Sequence, residues 1–200
     1  LTRRQPGKRE LDRQGDPEDP RPAGWSAGKT EYRDMLKKLL STRKAAILER
    51  WRGAIFAGYF PDTSKFLQKE KDRFSNPVGH AVHHGTEMIF DSLLEEKSHG
   101  DLLPAIDEMV RIRAVQDFTP SEAVGFVFLL KKAVRAELEK DIRTHRLEEE
   151  VAKLESKIDG VALLGFDLYM ACRQKIQDLR LKQVREQGLF RPRRSKEQPE

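Results

Sequence analysis

Apolar residues recur at spacings of three and four through most of the chain, and proline and glycine fall where that rhythm breaks, which predicts amphipathic helices and no strands. The first predicted helix runs from about Lys29 to Phe56, with Met35, Leu36, Leu39, Leu40, Ile47, Trp51 and Ile55 on its stripe. A connector from Gly58 to Asn76 follows, with Pro61 in it and one helical turn expected around Phe66. Pro77 suits the first position of a second helix, because its missing N–H would be unpaired there in any case. Val78, Ala81, Val82, Met88, Ile89, Leu93 and Leu94 give that helix a buried side. Gly100 breaks the chain, Asp101 is a capping candidate, and Leu102, Leu103, Ile106, Met109, Val110 and Ile112 supply a short third helix.

The clearest start signal is Thr119-Pro120-Ser121-Glu122, a capping box with proline at the first helical position. The helix it opens, to about Asp141, is apolar nearly all round at Ala123, Val124, Phe126, Val127, Phe128, Leu129, Leu130 and Val134, so it is expected at the centre of the core. The last segment, about His145 to Gln187, has no proline, and Leu147, Val151, Leu154, Ile158, Val161, Gly165, Leu168, Cys172, Ile176 and Leu179 step along it as a heptad seam. Residues 147–184 would span roughly 57 Å at about 1.5 Å per residue, more than the diameter of about 40 Å of a compact domain of this core size. Such a helix either projects as a coiled-coil stalk or bends near Gly160 or Gly165. Its middle, Val161 to Cys172, is expected inside the bundle. Its ends, at Leu147, Val151, Leu154, Ile158 and Leu179, are expected as a self-association seam, making the protein a homodimer. The fold class is therefore an all-α helical bundle with a long C-terminal heptad helix, and these spacings fit a globin-like arrangement as well as a simpler bundle.

Composition narrows the setting. One cysteine in 200 residues excludes an intramolecular disulfide and a cysteine-rich zinc site, and fits a reducing, cytoplasmic compartment. No run of about 18 apolar residues is present to span a bilayer, and no signal-peptide core opens the chain. Residues 1–28 are rich in proline, glycine and alternating charge, and are expected to form a disordered tail, as is the basic stretch 187–200. The folded sensor or regulatory domain is then 29–186. Of the net charge of +5, the two ends hold most, leaving residues 31–184 close to neutral at +1. A folded part without a basic excess argues against a nucleic-acid partner.

Candidate chemistry is sparse. No Walker loop, dinucleotide fingerprint or G-x-S-x-G occurs, and no nucleophile and base pair can be named, so no catalytic activity and no cofactor are expected. His80, His83 and His84 sit at helical spacings that allow convergence on a metal or haem, although exposed or structural histidines have the same pattern. Asp167 lies in the apolar run Val161 to Met170 and would need a partner if buried. Arg111 or Arg113 could supply it, as a register-fixing ion pair or a switch. Cys172 beside Arg173 reads as a redox thiol or as a small seam residue. Trp51, Phe56, Phe118, Phe126, Phe128 and Tyr169 read as plain core or as the walls of a small-molecule pocket.

Three blocks carry a family resemblance: Phe74 to Gly79, the longer run Arg111 to Phe126, and Phe166 to Arg173. Over about residues 30–185 the chain resembles the RsbRD N-terminal domain family, the sensor half of RsbT co-antagonist proteins. The resemblance implies an all-helical, non-enzymatic bacterial sensory domain in stress-response signalling, related in role and shape to non-haem globin-like domains of stressosome proteins. In those proteins a long helix leads from the sensor to a STAS output domain. Here only a short charged stretch follows Gln187, so a stand-alone copy is expected to act by docking on a separate regulatory protein. A ligand- or haem-binding sensor built on His80, His83 and His84 is the alternative.

Overall fold

The computed structural model describes residues 25–59, 61–69, 74–95, 99–116 and 118–186, and two of its helices begin at Pro77 and Pro120, as the sequence signals predict. The described residues hold six helices and no strand: α1 (Trp25–Phe56), α2 (Pro61–Lys69), α3 (Pro77–Leu94), α4 (His99–Val115), α5 (Pro120–His145) and α6 (Glu148–Glu186). Asn76 caps α3 by accepting the Gly79 N–H at 2.7 Å, and its amide donates to the Leu67 carbonyl at 2.9 Å, tying α2 to the start of α3. Gly79 has no alternative there, since a Cβ would lie 2.5 Å from the Leu67 carbonyl oxygen. The capping box of α5 forms as expected. Thr119 Oγ1 accepts from the Glu122 N–H at 3.4 Å, and the Glu122 carboxylate accepts from the Thr119 N–H at 2.9 Å. Between α5 and α6 the chain turns on Arg146, in the left-handed region at φ 52°, ψ 50°, and the Leu147 N–H returns to the Ile142 carbonyl at 3.0 Å.

The five longer helices close into a ring whose order is not that of the chain: α1 packs on α3, α3 on α4, α4 on α6, α6 on α5, and α5 back on α1. The short α2 covers the α1–α3 side. Within the ring lie Ile47, Trp51, Ile106, Met109, Leu130, Leu138 and Ile158, all buried. Trp51 joins two walls by donating its indole N–H to the Phe126 carbonyl at 2.7 Å. α3 and α4 meet closely at Gly85, where a Cβ would stand 2.5 Å from the Met109 sulfur. Ion pairs run along the α5–α6 seam, Arg135 with Glu155 at 2.6 Å and Lys131 with Asp159 at 2.5 Å. Paired at intervals of four on antiparallel helices, they hold one register.

Several expectations change. α1 starts at Trp25, ahead of Lys29. The connector holds a nine-residue helix rather than one turn, because Pro61 and Asp62 open it favourably and Leu67 is buried by its neighbours. α5 runs to His145 and is a wall of the ring, not its axis; Phe128, Lys132 and Arg135 face outward. α6 passes Gly160 and Gly165 unbroken for 39 residues, about 58 Å, because Gly165 lies against Ile106, Val110 and Val124 rather than at a bend. The expected self-association seam is corrected at three positions. Leu147, Val151 and Ile158 are buried by the chain's own helices, since the N-terminal half of α6 completes the ring. Leu154 is half-buried at a small groove of about 130 Å³ between α1, α3 and α6, and Leu179 alone of the five is well exposed, at 58%. Residues 1–24 and 187–200, on which the tail expectations fall, lie outside the described residues. No helix among the described residues is long and apolar enough to cross a membrane.

Candidate functional site

The α4–α5 corner gathers the most unusual chemistry. α4 ends with the Gln116 N–H on the Ile112 carbonyl and the Phe118 N–H on the Arg113 carbonyl, at 3.1 and 3.3 Å, and α5 starts at the Thr119 cap. This tight reversal folds the Arg113 side chain under the first turn of α5, where only 5% of the residue remains exposed. Its Nη1 donates to the Glu122 carbonyl at 3.0 Å. Three rings surround the guanidinium carbon, with centroids at 4.8 Å (Phe126), 5.3 Å (Phe118) and 5.9 Å (Tyr59). Tyr59 meets Phe118 edge-on at 5.7 Å, and its buried hydroxyl has no hydrogen-bond partner among the described residues.

A guanidinium in such a place is normally matched by a carboxylate, because a buried charge costs several kcal/mol when unpaired, on the order of the ion's residual desolvation. No carboxylate of the described residues pairs with Arg113; burial lowers its pKa, and the Tyr59 hydroxyl opposes that only in part. It stays protonated all the same, since arginine does not titrate in proteins. The ring faces supply part of the missing stabilisation, typically about 0.5–2 kcal/mol per cation–π contact.

Two side chains of α6 hold the same corner. The Tyr169 hydroxyl donates to the Phe118 carbonyl, and Arg173 Nη1 donates to the Ala114 carbonyl at 3.1 Å. The corner and α6 are thereby bonded as one unit at the level where the buried part of α6 ends. Beyond Arg173 its side chains are mostly exposed, Leu179 and Leu181 included.

The expected partner of Arg113 lies elsewhere. Asp167 is exposed and makes no ion pair among the described residues, because Gly165 faces inward and two steps of about 100° carry Asp167 to the far side of α6. Arg111 points outward too and binds Asp107 of its own helix at 2.7 Å, a bond that raises its pKa. The proposed Arg111/Arg113–Asp167 switch is thus reduced to Arg113 alone. Cys172 is a half-buried free thiol, near enough to Arg111 to add slightly to its raised pKa.

The three histidines do not converge. His80 and His84 stack with centroids 5.8 Å apart, and His84 Nδ1 lies 3.7 Å from Glu108. His83 turns to Phe56 at 5.8 Å and lines a groove of about 690 Å³ between α1, α2 and α3. Arg52 crosses that groove to donate to Thr86 Oγ1 at 2.8 Å and to the His83 carbonyl at 2.7 Å, and burial lowers its pKa against the opposing pull of Glu87. Among the described residues no group of three or more His, Cys, Asp or Glu side chains gathers to hold a metal.

The sequence model of one family, the RsbT co-antagonist protein rsbRD N-terminal domain, matches residues 45–184, which include every element of the α4–α5–α6 corner. The chain belongs to this family. An RsbRD N-terminal domain is a stress-response signalling sensor, in a family of regulatory domains rather than enzymes. An uncharacterized protein of Archaeoglobus fulgidus is 34% identical over 93 residues, covering 46% of this chain and 57% of that protein, so the chain spans little more than half of its relative. No solved structure matches the chain.

Of the aromatic residues picked out in the sequence, this RsbRD N-terminal domain brings Phe118, Phe126 and Tyr169 to the corner, while Trp51 and Phe56 are buried core and Phe128 is exposed at 44%. Tyr59 and Arg173 were not singled out as members of one site. Tyr59 lies just after α1 and meets the corner only through the ring closure, so no spacing along the chain points to it.

Proposed function

We propose that residues 29–186 form a regulatory domain that reports its state to a separate protein through the outer end of α6, as a homodimer in the cytoplasm and without catalysis or nucleic-acid binding. The observation that carries this reading is the geometry of α6: bonded to the α4–α5 corner at Tyr169 and Arg173, it continues for another thirteen residues with Leu179 and Leu181 exposed at 58% and 56%. Exposed leucines on a helix that has left its bundle are suited to pack on a partner helix. Membership of a signalling-sensor family supports the role, and the single cysteine supports the compartment.

The test is affinity capture of the tagged protein from its native extract beside the double variant Leu179→Glu/Leu181→Glu, with light scattering for the oligomeric state. A stoichiometric protein retained by the wild type and lost by the variant supports the reading. Identical recovery from both removes α6 as the output, and a strict monomer at high concentration removes the dimer.

A ligand- or haem-binding sensor is the second reading, favoured by one observation: His80 Nδ1 is buried without a hydrogen-bond partner among the described residues. A Soret band in freshly purified protein, lost in His80→Ala, would support it. A colourless protein that takes up no added haem would remove the haem form.

A further inference from the structure

α1, α3 and α6 meet around the groove of about 130 Å³, and its lining is divided in two by chemistry. Its floor is aliphatic: Leu36, Leu40 and Leu93 are buried there, and Leu94 and Leu154 are half-buried beside them. Its rim is cationic and exposed, with Arg33 and Lys37 from α1 and Lys153 and Lys157 from α6. Among the described residues the lining holds one acid, Glu150, whose carboxylate already accepts from Lys153 at 2.6 Å. Arg33 lies 3.9 Å from its neighbour Asp34. Lys37, between Leu36 and Leu40 on the same helix, makes no ion pair among the described residues.

We propose that this groove binds a free monocarboxylate carrying an aliphatic tail of about six carbons. Three features select that class. Five leucine side chains offer nothing to a hydroxyl or an amide, so the buried part of the ligand is hydrocarbon. The volume sets its length, since a cavity of about 150 Å³ takes up one six-carbon benzene molecule. A rim of four cations around one paired acid repels an ammonium group and attracts a carboxylate, which Lys37 is placed to answer.

Occupancy bears on the long helix. A tail in the groove packs on α1 through Leu36 and Leu40, on α3 through Leu93 and Leu94, and on α6 through Leu154, adding apolar contact where these three helices meet. The groove thus deepens the regulatory reading above by supplying a signal, and rests on it only for that biological meaning. Binding itself is read without any partner protein.

The probes are acetate, butyrate, hexanoate and octanoate, with hexylamine as the charge-reversed control, titrated at equal ionic strength and neutral pH while thermal unfolding of the whole chain is followed. Hexanoate should give a saturable rise in Tm of about 2–4 °C once it exceeds its Kd several-fold. Along the series each buried methylene should tighten binding by up to about 4-fold, with the gain ending near six carbons, where the groove is full. Hexylamine should give no saturable rise. Leu154→Trp fills the groove and should abolish the response. Lys37→Glu changes an exposed side chain and leaves the core intact; it should weaken hexanoate about 5-fold and let hexylamine bind in its place. That variant keeps the test open should Leu154→Trp fail to fold. No saturable response to hexanoate, an affinity that climbs undiminished past octanoate, equal binding of hexylamine by the wild type, or a Lys37→Glu affinity identical to wild type would each overturn the site. Failed partner capture alongside a positive titration would overturn the regulatory reading and leave the site standing.

Discussion

The hydroxyl of Tyr169 on α6 donates to the carbonyl of Phe118, a residue between α4 and α5 fifty-one positions earlier in the chain. Phe118 is also a wall of the Arg113 cage, so one residue belongs both to the buried cation and to the anchorage of the long helix. With Arg173 on the Ala114 carbonyl one turn further on, two hydrogen bonds tie the corner to α6.

Tyr169→Phe keeps the ring in the core and deletes that bond. Tyr169 is 2% exposed, so the Phe118 carbonyl is left without its donor. Unfolding in urea should show a loss of about 1–2 kcal/mol. Hydrogen exchange should accelerate over the C-terminal part of α6 before it does over α1. Uniform acceleration across all helices would show that the bond contributes stability but no local anchorage.

Two glycines should respond oppositely to alanine. At Gly85 the new methyl would meet the Met109 sulfur at 2.5 Å in a packed interface, and the expected loss is about 1–3 kcal/mol. At Gly165 the nearest atom is a methyl of Ile106 at 3.4 Å, an ordinary contact. There the helix propensity of alanine, worth up to about 1 kcal/mol over glycine, should leave stability unchanged or raised. Chemical denaturation of the two variants side by side decides it.

Arg146 adopts the left-handed conformation that glycine takes without strain. Arg146→Gly should therefore stabilise the protein by about 1 kcal/mol, seen as a higher denaturation midpoint with an unchanged slope. A lowered midpoint would mean that the arginine side chain makes a contact worth more than the backbone strain.

Glu122 gives a pH signature. Hydrogen bonds from Thr119 hold its carboxyl below the ordinary carboxylate value, so the ionised form is preferred in the folded protein. The stability this adds is complete above the unfolded carboxylate pKa and is lost as pH falls through the depressed folded value. Glu122→Gln should lower Tm at neutral pH, and the gap between variant and wild type should close on acidification. A gap that stays constant across the acid limb would sink the assignment.

How much of this was legible along the chain differs by element. The start of α5 was readable in full, because a capping box is a bond between residues three apart and requires nothing from the rest of the fold. Pro77 after Asn76 marked α3 for the same reason. α2 was harder, since a helix of nine residues is marginal alone and is held by burial of Leu67 and by the Asn76 amide on its last turn. Apolar period revealed which face of α6 would be covered but not by what. The same Leu147, Val151 and Ile158 would serve a second copy of the chain or the chain's own ring, and the ring took them.

The candidate site shows the same division more sharply. Asp167 within an apolar run suggested a buried carboxylate, yet its angular position on α6 faces it outward. Arg113 was identifiable as a charge among apolar neighbours, while its aromatic surroundings come from the end of α1, the α4–α5 corner and α5.

By itself, the sequence determined the helical class, the starts of α3 and α5, the family and the near-neutral charge of the folded part, because these rest on residue type and on bonds within a few positions. Only the tertiary structure decided the ring order, the fate of the heptad seam and the meeting of Arg113 with Tyr59 and Tyr169. Those depend on which faces are buried against which, and burial between segments fifty residues apart leaves no periodic mark on the chain.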